Sequence, residues 1–288
     1  MGDRIIFESI GIPSAKIGNA PSIGLATRTA RDMNGNPIYV GLPIKSKTVG
    51  SSRTTLVCDI SNNAIGTEGS AIRNTINNVD VEVIKDDKCC GMPKLELGDL
   101  KTVEKMMQHN LAKFKKYVDD GFQIIAPVPS CVLMFKQELP LLFPANKDIK
   151  LVSQAINDPF EYLLKLHDND NLKTNFKNPL GSVFYQVACH QRVQNIGQVT
   201  KKILELIPNS NINAIERCSG HDGTYGVKKE THDIAIKIAL PIVKEYKRLE
   251  STQFTSDCTL AAHHVVNAMG NKVLPTHPIT LIKNAYGI

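Results

Sequence analysis

Phe122-Gln123-Ile124-Ile125-Ala126-Pro127-Val128-Pro129-Ser130-Cys131 is an apolar run that ends on a cysteine two residues after a proline. Its first five residues read as a buried strand, and a helix is expected to start at Cys131. Upstream, Asp99 is placed to cap a helix whose apolar positions are Leu100, Val103, Met106, Met107, Leu111, Phe114 and Val118, with Gly121 as its stop. Before that helix, Cys89-Cys90-Gly91 follows a short alternating run from Val79 to Val83. Earlier still, Cys58 closes the β-rich run Thr54 to Val57, and a helix is expected over 65–76.

The same order returns in the second half. A strand from Ser182 to Val187 leads to Cys189, a helix is expected over 196–206, and a strand over 212–215 leads to Cys218-Ser219-Gly220. A long helix from Lys228 to Leu249 tolerates Pro241, and a strand from Gln253 to Ser256 precedes Cys258 and a helix from Thr259 to Met269. Cys58 and Cys189, Cys89 and Cys218, and Cys131 and Cys258 are offset by 131, 129 and 127 residues. Three matched cysteines and a shared glycine point to a duplicated unit rather than scattered core thiols. The reading is therefore α/β, with two pseudo-equivalent parallel units. Residues 1–50 form an irregular arm, 51–172 the first unit and 178–288 the second.

Alternating strands and helices of these lengths imply parallel sheets, whose ligands sit beyond the carboxyl ends of the strands. Cys58, Cys131, Cys189 and Cys258 fall there, at expected helix N-termini, where free N–H groups and the helix dipole favour the thiolate that binds metals. An odd count of seven cysteines, one pair of them adjacent, makes a poor disulfide framework.

Composition narrows the class. The 288 residues are 42% apolar and 22% charged, which suits a globular chain rather than a disordered one. Net charge is +6, and the densest basic cluster, Lys113, Lys115 and Lys116, reads as a solvated helix face, so no nucleic-acid partner is expected. No secretory signal and no run long enough to span a bilayer are seen, and a cytoplasmic location follows as the expectation. There is no dinucleotide-binding glycine motif after a strand, no Walker loop and no Gly-x-Ser-x-Gly elbow, and no catalytic residue is assigned.

The segments Cys89-Cys90-Gly91-Met92-Pro93-Lys94-Leu95, Pro129-Ser130-Cys131-Val132-Leu133-Met134, Cys189-His190 and Cys218-Ser219-Gly220-His221-Asp222-Gly223-Thr224-Tyr225-Gly226 resemble the cysteine-rich CCG-repeat family. That family includes the B subunit of heterodisulfide reductase and iron–sulfur subunits of glycolate and lactate oxidation systems. The motifs are most like those of the C subunit of anaerobic glycerol-3-phosphate dehydrogenase, without its ferredoxin domain. The resemblance implies a [4Fe–4S] cluster on Cys58, Cys89, Cys90 and Cys131, with Met134 in the place of a fifth cysteine. It implies a second, poorer site on Cys189, Cys218 and Cys258, where Ser219 and Ala261 replace two cysteines. Ser219, His190 or His221 could complete that site, which could also hold zinc, or nothing.

The activity implied is electron transfer from a flavoprotein dehydrogenase subunit towards a quinone or other acceptor, placing the chain at the inner membrane face through its partners. Two alternatives stay open: a thiol/disulfide oxidoreductase like heterodisulfide reductase, and a zinc-stabilised assembly module. Of the other histidines, His109 and His232 are assigned to helix surfaces. One of His263 and His264 is expected in solvent and the other as a satisfied core residue. The Met106-Met107 pair is assigned to a core stripe.

Overall fold

A computed structural model describes residues 29–31, 37–39, 77, 79, 84, 87–223, 225–270 and 272–287. Cys58, the strand before it, the helix expected over 65–76 and most of the run Val79 to Val83 lie outside the described residues. In the expected arm, β1 (Thr29–Arg31) pairs antiparallel with β2 (Pro37–Tyr39).

The cysteine pair leads into a short helix, α1 (Met92–Glu96), and then α2 (Leu100–Asp119). The Asp99 side chain accepts the Thr102 N–H at 3.2 Å, which caps α2 and fixes its start. Gly121, at φ 88°, reverses the chain into β3 (Ile124–Ile125). This strand is shorter than the five residues expected. Pro127 cannot donate to a ladder, so pairing ends where Ala126 N–H meets the Asn157 carbonyl.

After α3 (Pro129–Leu133) a π-helical turn over Met134–Glu138 leads to α4 (Leu139–Leu142), α5 (Lys147–Ala155) and β4 (Ile156–Asn157). β3 and β4 are parallel. Helix α6 (Pro159–Asp168) opens on a capping box in which Asp158 and Glu161 satisfy each other's backbone N–H groups.

The second half is built on a three-stranded parallel sheet of order β6-β5-β7: β5 (Gly181–Gln186), β6 (Ser210–Ile215) and β7 (Gln253–Thr255). Its helices are α7 (Cys189–Arg192), α8 (Val199–Leu204), α9 (Lys229–Arg248, continuous through Pro241), α10 (Thr259–Ala268) and α11 (Pro278–Tyr286). The helix expected over 196–206 is confined to α8. Asn195 and Gly197, both at positive φ, interrupt the chain between α7 and α8.

The fold is α/β with parallel strands. Central strand β5 is buried on both faces from Val183 to Gln186, as a strand covered by helices must be. One apolar cluster takes Ile125, Phe160 and Leu163 together with Val183, Tyr185, Ile203 and Ile282. The core thus runs continuously from the first half into the second.

Candidate metal and thiol sites

Cysteines 89, 90 and 131 are brought together. All three are buried, at 4%, 4% and 6% exposure. Their hydrogen bonds to Cys90, that of Cys131 first and that of Cys89 second, push the Cys90 thiol well above its ordinary value, and burial adds to the shift. Cys131 sits in the first turn of α3, while Cys89 and Cys90 come from the turn before α1. Gly91 makes that turn possible. At φ 94° it occupies the left-handed region, and its N–H reaches the Cys89 sulfur at 3.4 Å. A β-carbon at Gly91 would stand 3.6 Å from both Met134 Cε and Val103. Met134 therefore fills the space beside the cysteine turn as a buried apolar side chain.

A residue not singled out from the sequence holds this turn. Asn110, fully buried on α2, accepts the Lys88 N–H at 2.7 Å and donates to the carbonyls of Lys88 and Cys89 at 2.9 and 3.3 Å. Its signal was available: a lone carboxamide in the buried stripe Val103, Met107, Asn110, Leu111 and Phe114 needs polar partners.

The second set lies at the carboxyl end of the three-stranded sheet. Cys189, Cys218 and Cys258 each follow the last residue of their strand, Gln186, Ile215 and Thr255, by three positions. Cys189 and Cys218 are both exposed. Burial of the Cys189 sulfur, then the neighbouring Cys218, raises the Cys189 thiol, and Arg192 pulls it back. Cys258 caps α10, its sulfur accepting the Ala261 N–H at 3.5 Å. Burial pushes its thiol up to about 11 against the pull of the Ala261 and Leu260 N–H groups.

The turn at Cys218-Ser219-Gly220 copies that at Cys89-Cys90-Gly91. The Gly220 N–H meets the Cys218 sulfur at 3.4 Å, and Gly220 has φ 82°. A β-carbon there would fall 2.2 Å from the Ala235 carbonyl oxygen, so only glycine fits. Ser219 is buried, and its hydroxyl accepts the His221 N–H at 3.3 Å.

The two sets lie close together. Helix α3, with Cys131, packs on α7, with Cys189, and the Gln194 amide donates to the Pro129 carbonyl at 3.1 Å. Glu96, at the end of α1, lies against Gly223 in the loop after Cys218. Burial and the Asp222 charge push its carboxyl up to about 7. Among the described residues, no three His, Cys, Asp or Glu side chains stand in an arrangement that would hold a metal ion.

Two histidines depart from expectation. His232 turns inward from α9, its Nδ1 2.9 Å from the Gly226 carbonyl oxygen, because the glycine-rich loop brings backbone acceptors to the helix. His264 is buried beside the Ala235 carbonyl, yet neither ring nitrogen completes a hydrogen bond of good geometry. It is a core histidine, but not a satisfied one. His221 is buried with Nδ1 unpartnered, and burial drives its imidazole down to about 3, so it is neutral. His190 is partly buried and shifted the same way for the same reason.

Beneath Cys189 and Cys258 runs a buried polar network. The Tyr185 hydroxyl bonds Gln191 Oε1 and Asp257 Oδ2, both at 2.6 Å, and Thr200 donates to Asp257 Oδ1 at 2.9 Å. Gln191 Nε2 donates to Thr200 at 3.1 Å and lies 3.4 Å from Asp158 Oδ2. Burial, and the other's charge, lift the Asp158 carboxyl, and burial lifts that of Asp257.

These features define a cysteine-rich domain of parallel α/β type, with thiols gathered where strands give way to helices. Residues 58–136 match the family model of the CCG cysteine-rich domain. It is similar to the C subunit of anaerobic glycerol-3-phosphate dehydrogenase from Escherichia coli (strain K12), with 25% identity over 207 residues, 71% of this chain and 51% of the relative. It is also similar to lactate utilization protein A of Geobacillus sp. (strain WCH70), with 25% identity over 160 residues, 53% of this chain and 64% of the relative. The chain thus spans about half the length of the first of these relatives. Among the described residues, no helix is long and apolar enough to cross a membrane.

Proposed function

We propose that this chain is an iron–sulfur electron-transfer subunit of a dehydrogenase complex, taking electrons from a flavoprotein partner towards a quinone or other acceptor. The observation that carries this reading is the crowding of the Cys89, Cys90 and Cys131 thiols within the segment that matches the CCG domain. The Cys131 and Cys89 thiols beside Cys90, through hydrogen bonding first and then with burial, hold its proton firmly. A cationic cluster would reverse that preference, since thiolates are its usual ligands.

In this reading Cys58 is the fourth ligand beside Cys89, Cys90 and Cys131. When bound, a [4Fe–4S] cluster supplies one-electron chemistry that thiols alone lack. The chain's own part is to fix and shield the ligands. Asn110 and Gly91 set the Cys89-Cys90 turn, α3 presents Cys131, and Met134 seals one side against water. The name of the glycerol-3-phosphate dehydrogenase relative supports a place beside a dehydrogenase, and a peripheral location at the inner membrane face through such a partner goes with that reading.

Anaerobic reconstitution with iron and sulfide tests the reading. Brown protein with acid-labile sulfide and an electron paramagnetic resonance signal on reduction is the expected result. Folded chain that stays colourless and iron-free, or takes up zinc alone, would overturn it.

A further inference from the structure

Helix α9 follows the Cys218 turn as α2 follows the Cys89 turn, so one outer helix face can be set against the other. On α2 no large apolar side chain after Leu100 is exposed, and Lys101, Lys105 and Lys116 face solvent. Helix α9 differs. Its inner face is already engaged, with Ala239, Ile242 and Val243 packed in one cluster with Phe184, Phe254 and Val265. Yet Ile234, Ile238 and Leu240 stand 49%, 39% and 41% exposed, and Pro241 is exposed beside them. Ile234, Ile238 and Pro241 follow at i, i+4 and i+7 and form one apolar stripe. Pro241 also leaves the Lys237 carbonyl without the N–H that a helix returns to it, which puts a spare acceptor on the same stretch. Lys237 and Lys244 fall between that stripe and Leu240 on the helix surface. Lys237, Lys244 and Lys247 are exposed and make no ion pair among the described residues. The acid among them, Glu245, is held by Arg248 at 2.9 and 2.6 Å.

We propose that the outer face of α9 is a docking surface for an acidic amphipathic helix of a partner protein. The partner's apolar side chains cover Ile234, Ile238 and Pro241, and its carboxylates meet Lys237, Lys244 and Lys247. A second copy of this chain would bring lysines against lysines, so charge opposes that occupant. An anionic bilayer suits a helix whose apolar residues share one face with the cations at its edges. On α9 the cations lie between two apolar flanks, an order that a partner with carboxylates and apolar groups in register matches better. The surface uses no cysteine and no cluster, so it goes beyond the electron-transfer reading and is tested apart from it.

The probe is a synthetic amphipathic peptide that is helical in water, with leucines at i, i+3, i+4 and i+7 and glutamates on both flanks. Its binding to the full chain is read by fluorescence anisotropy. Binding that weakens as salt rises is expected. Lys237→Glu/Lys244→Glu should weaken it about tenfold and should gain binding of a lysine-flanked form of the peptide. Ile238→Asp should weaken both forms. Lys101→Glu/Lys105→Glu changes net charge equally on α2 and should leave binding as it was. All these positions are exposed or nearly so, and an unchanged urea midpoint shows that each variant folds. Absence of binding, equal loss in the α2 variant, or equal binding of a scrambled peptide of the same composition would overturn the proposal. So would capture of the chain by anionic lipid vesicles without peptide binding, or a dimer dispersed by Ile238→Asp, since these would give the face to a bilayer or to a second copy. Iron content is measured separately, so failure here leaves the electron-transfer reading standing, and the reverse holds too.

Discussion

The turns at Cys89-Cys90-Gly91 and Cys218-Ser219-Gly220 share a backbone and differ in environment. In each, a glycine at positive φ returns its N–H to the first cysteine's sulfur at 3.4 Å. The first turn is pinned by Asn110 and roofed by Met134, and its thiols are buried together. In the second, the middle thiol is replaced by a buried serine hydroxyl, and the first cysteine stands at the surface. Backbone geometry of this kind therefore places a thiol but does not decide its chemistry. Burial and the number of neighbouring sulfurs do that.

The sharpest way to break this comparison is to exchange single thiols. Cys90→Ser removes the sulfur that touches both Cys89 and Cys131. Iron and acid-labile sulfide in reconstituted protein are expected to fall to background, while Cys218→Ser keeps them. Equal iron loss in both variants would show that the two turns do the same work. A smaller effect is expected at Asn110, whose carboxamide meets three backbone groups of the first turn. Asn110→Ala leaves those groups unsatisfied in a buried place and should cost about 2–3 kcal/mol, read as a lower urea midpoint.

How much of this was legible beforehand follows from where each signal resides. Cysteine spacing and strand order are local, so the parallel α/β reading and the gathering of Cys189, Cys218 and Cys258 beyond three strand ends could be taken from the chain itself. Asn110 was missed because one polar residue in an apolar stripe reads as an interruption until its partners are seen. The inward turn of His232 depends on where a loop six residues upstream folds, which periodicity does not encode. The helices between Leu139 and Asp168 were not assigned, although Asp158-Pro159-Phe160-Glu161 carries the capping-box signature that begins α6. β3 came out short because two prolines, not apolar content, set its end.

The network under the second set gives a further test, because Gln191 carries it to Asp158 in the first half. Tyr185→Phe removes a hydroxyl shared by Gln191 and Asp257 and leaves a lifted carboxyl with one partner fewer. A cost of about 1–2 kcal/mol is expected, with the iron content of the first set unchanged. Destabilisation accompanied by iron loss would mean the two halves are energetically one site.

The smallest effect expected concerns the contact between the turns themselves. Glu96, just after the first, meets Asp222 and Gly223, just after the second, and its carboxyl is raised from 4.5 to about 7 by burial first and Asp222 second. Between those values the folded chain keeps a proton that the unfolded chain has released. The contribution to stability is therefore whole below the ordinary carboxylate value and is lost as pH rises through about 7. Glu96→Gln keeps the shape and removes the proton. Its urea midpoint should change less than that of the wild type between about pH 5 and pH 8, and the two slopes should agree at higher pH. Parallel curves across the whole range would place the Glu96 carboxyl in open water and separate the two turns that the fold brings together.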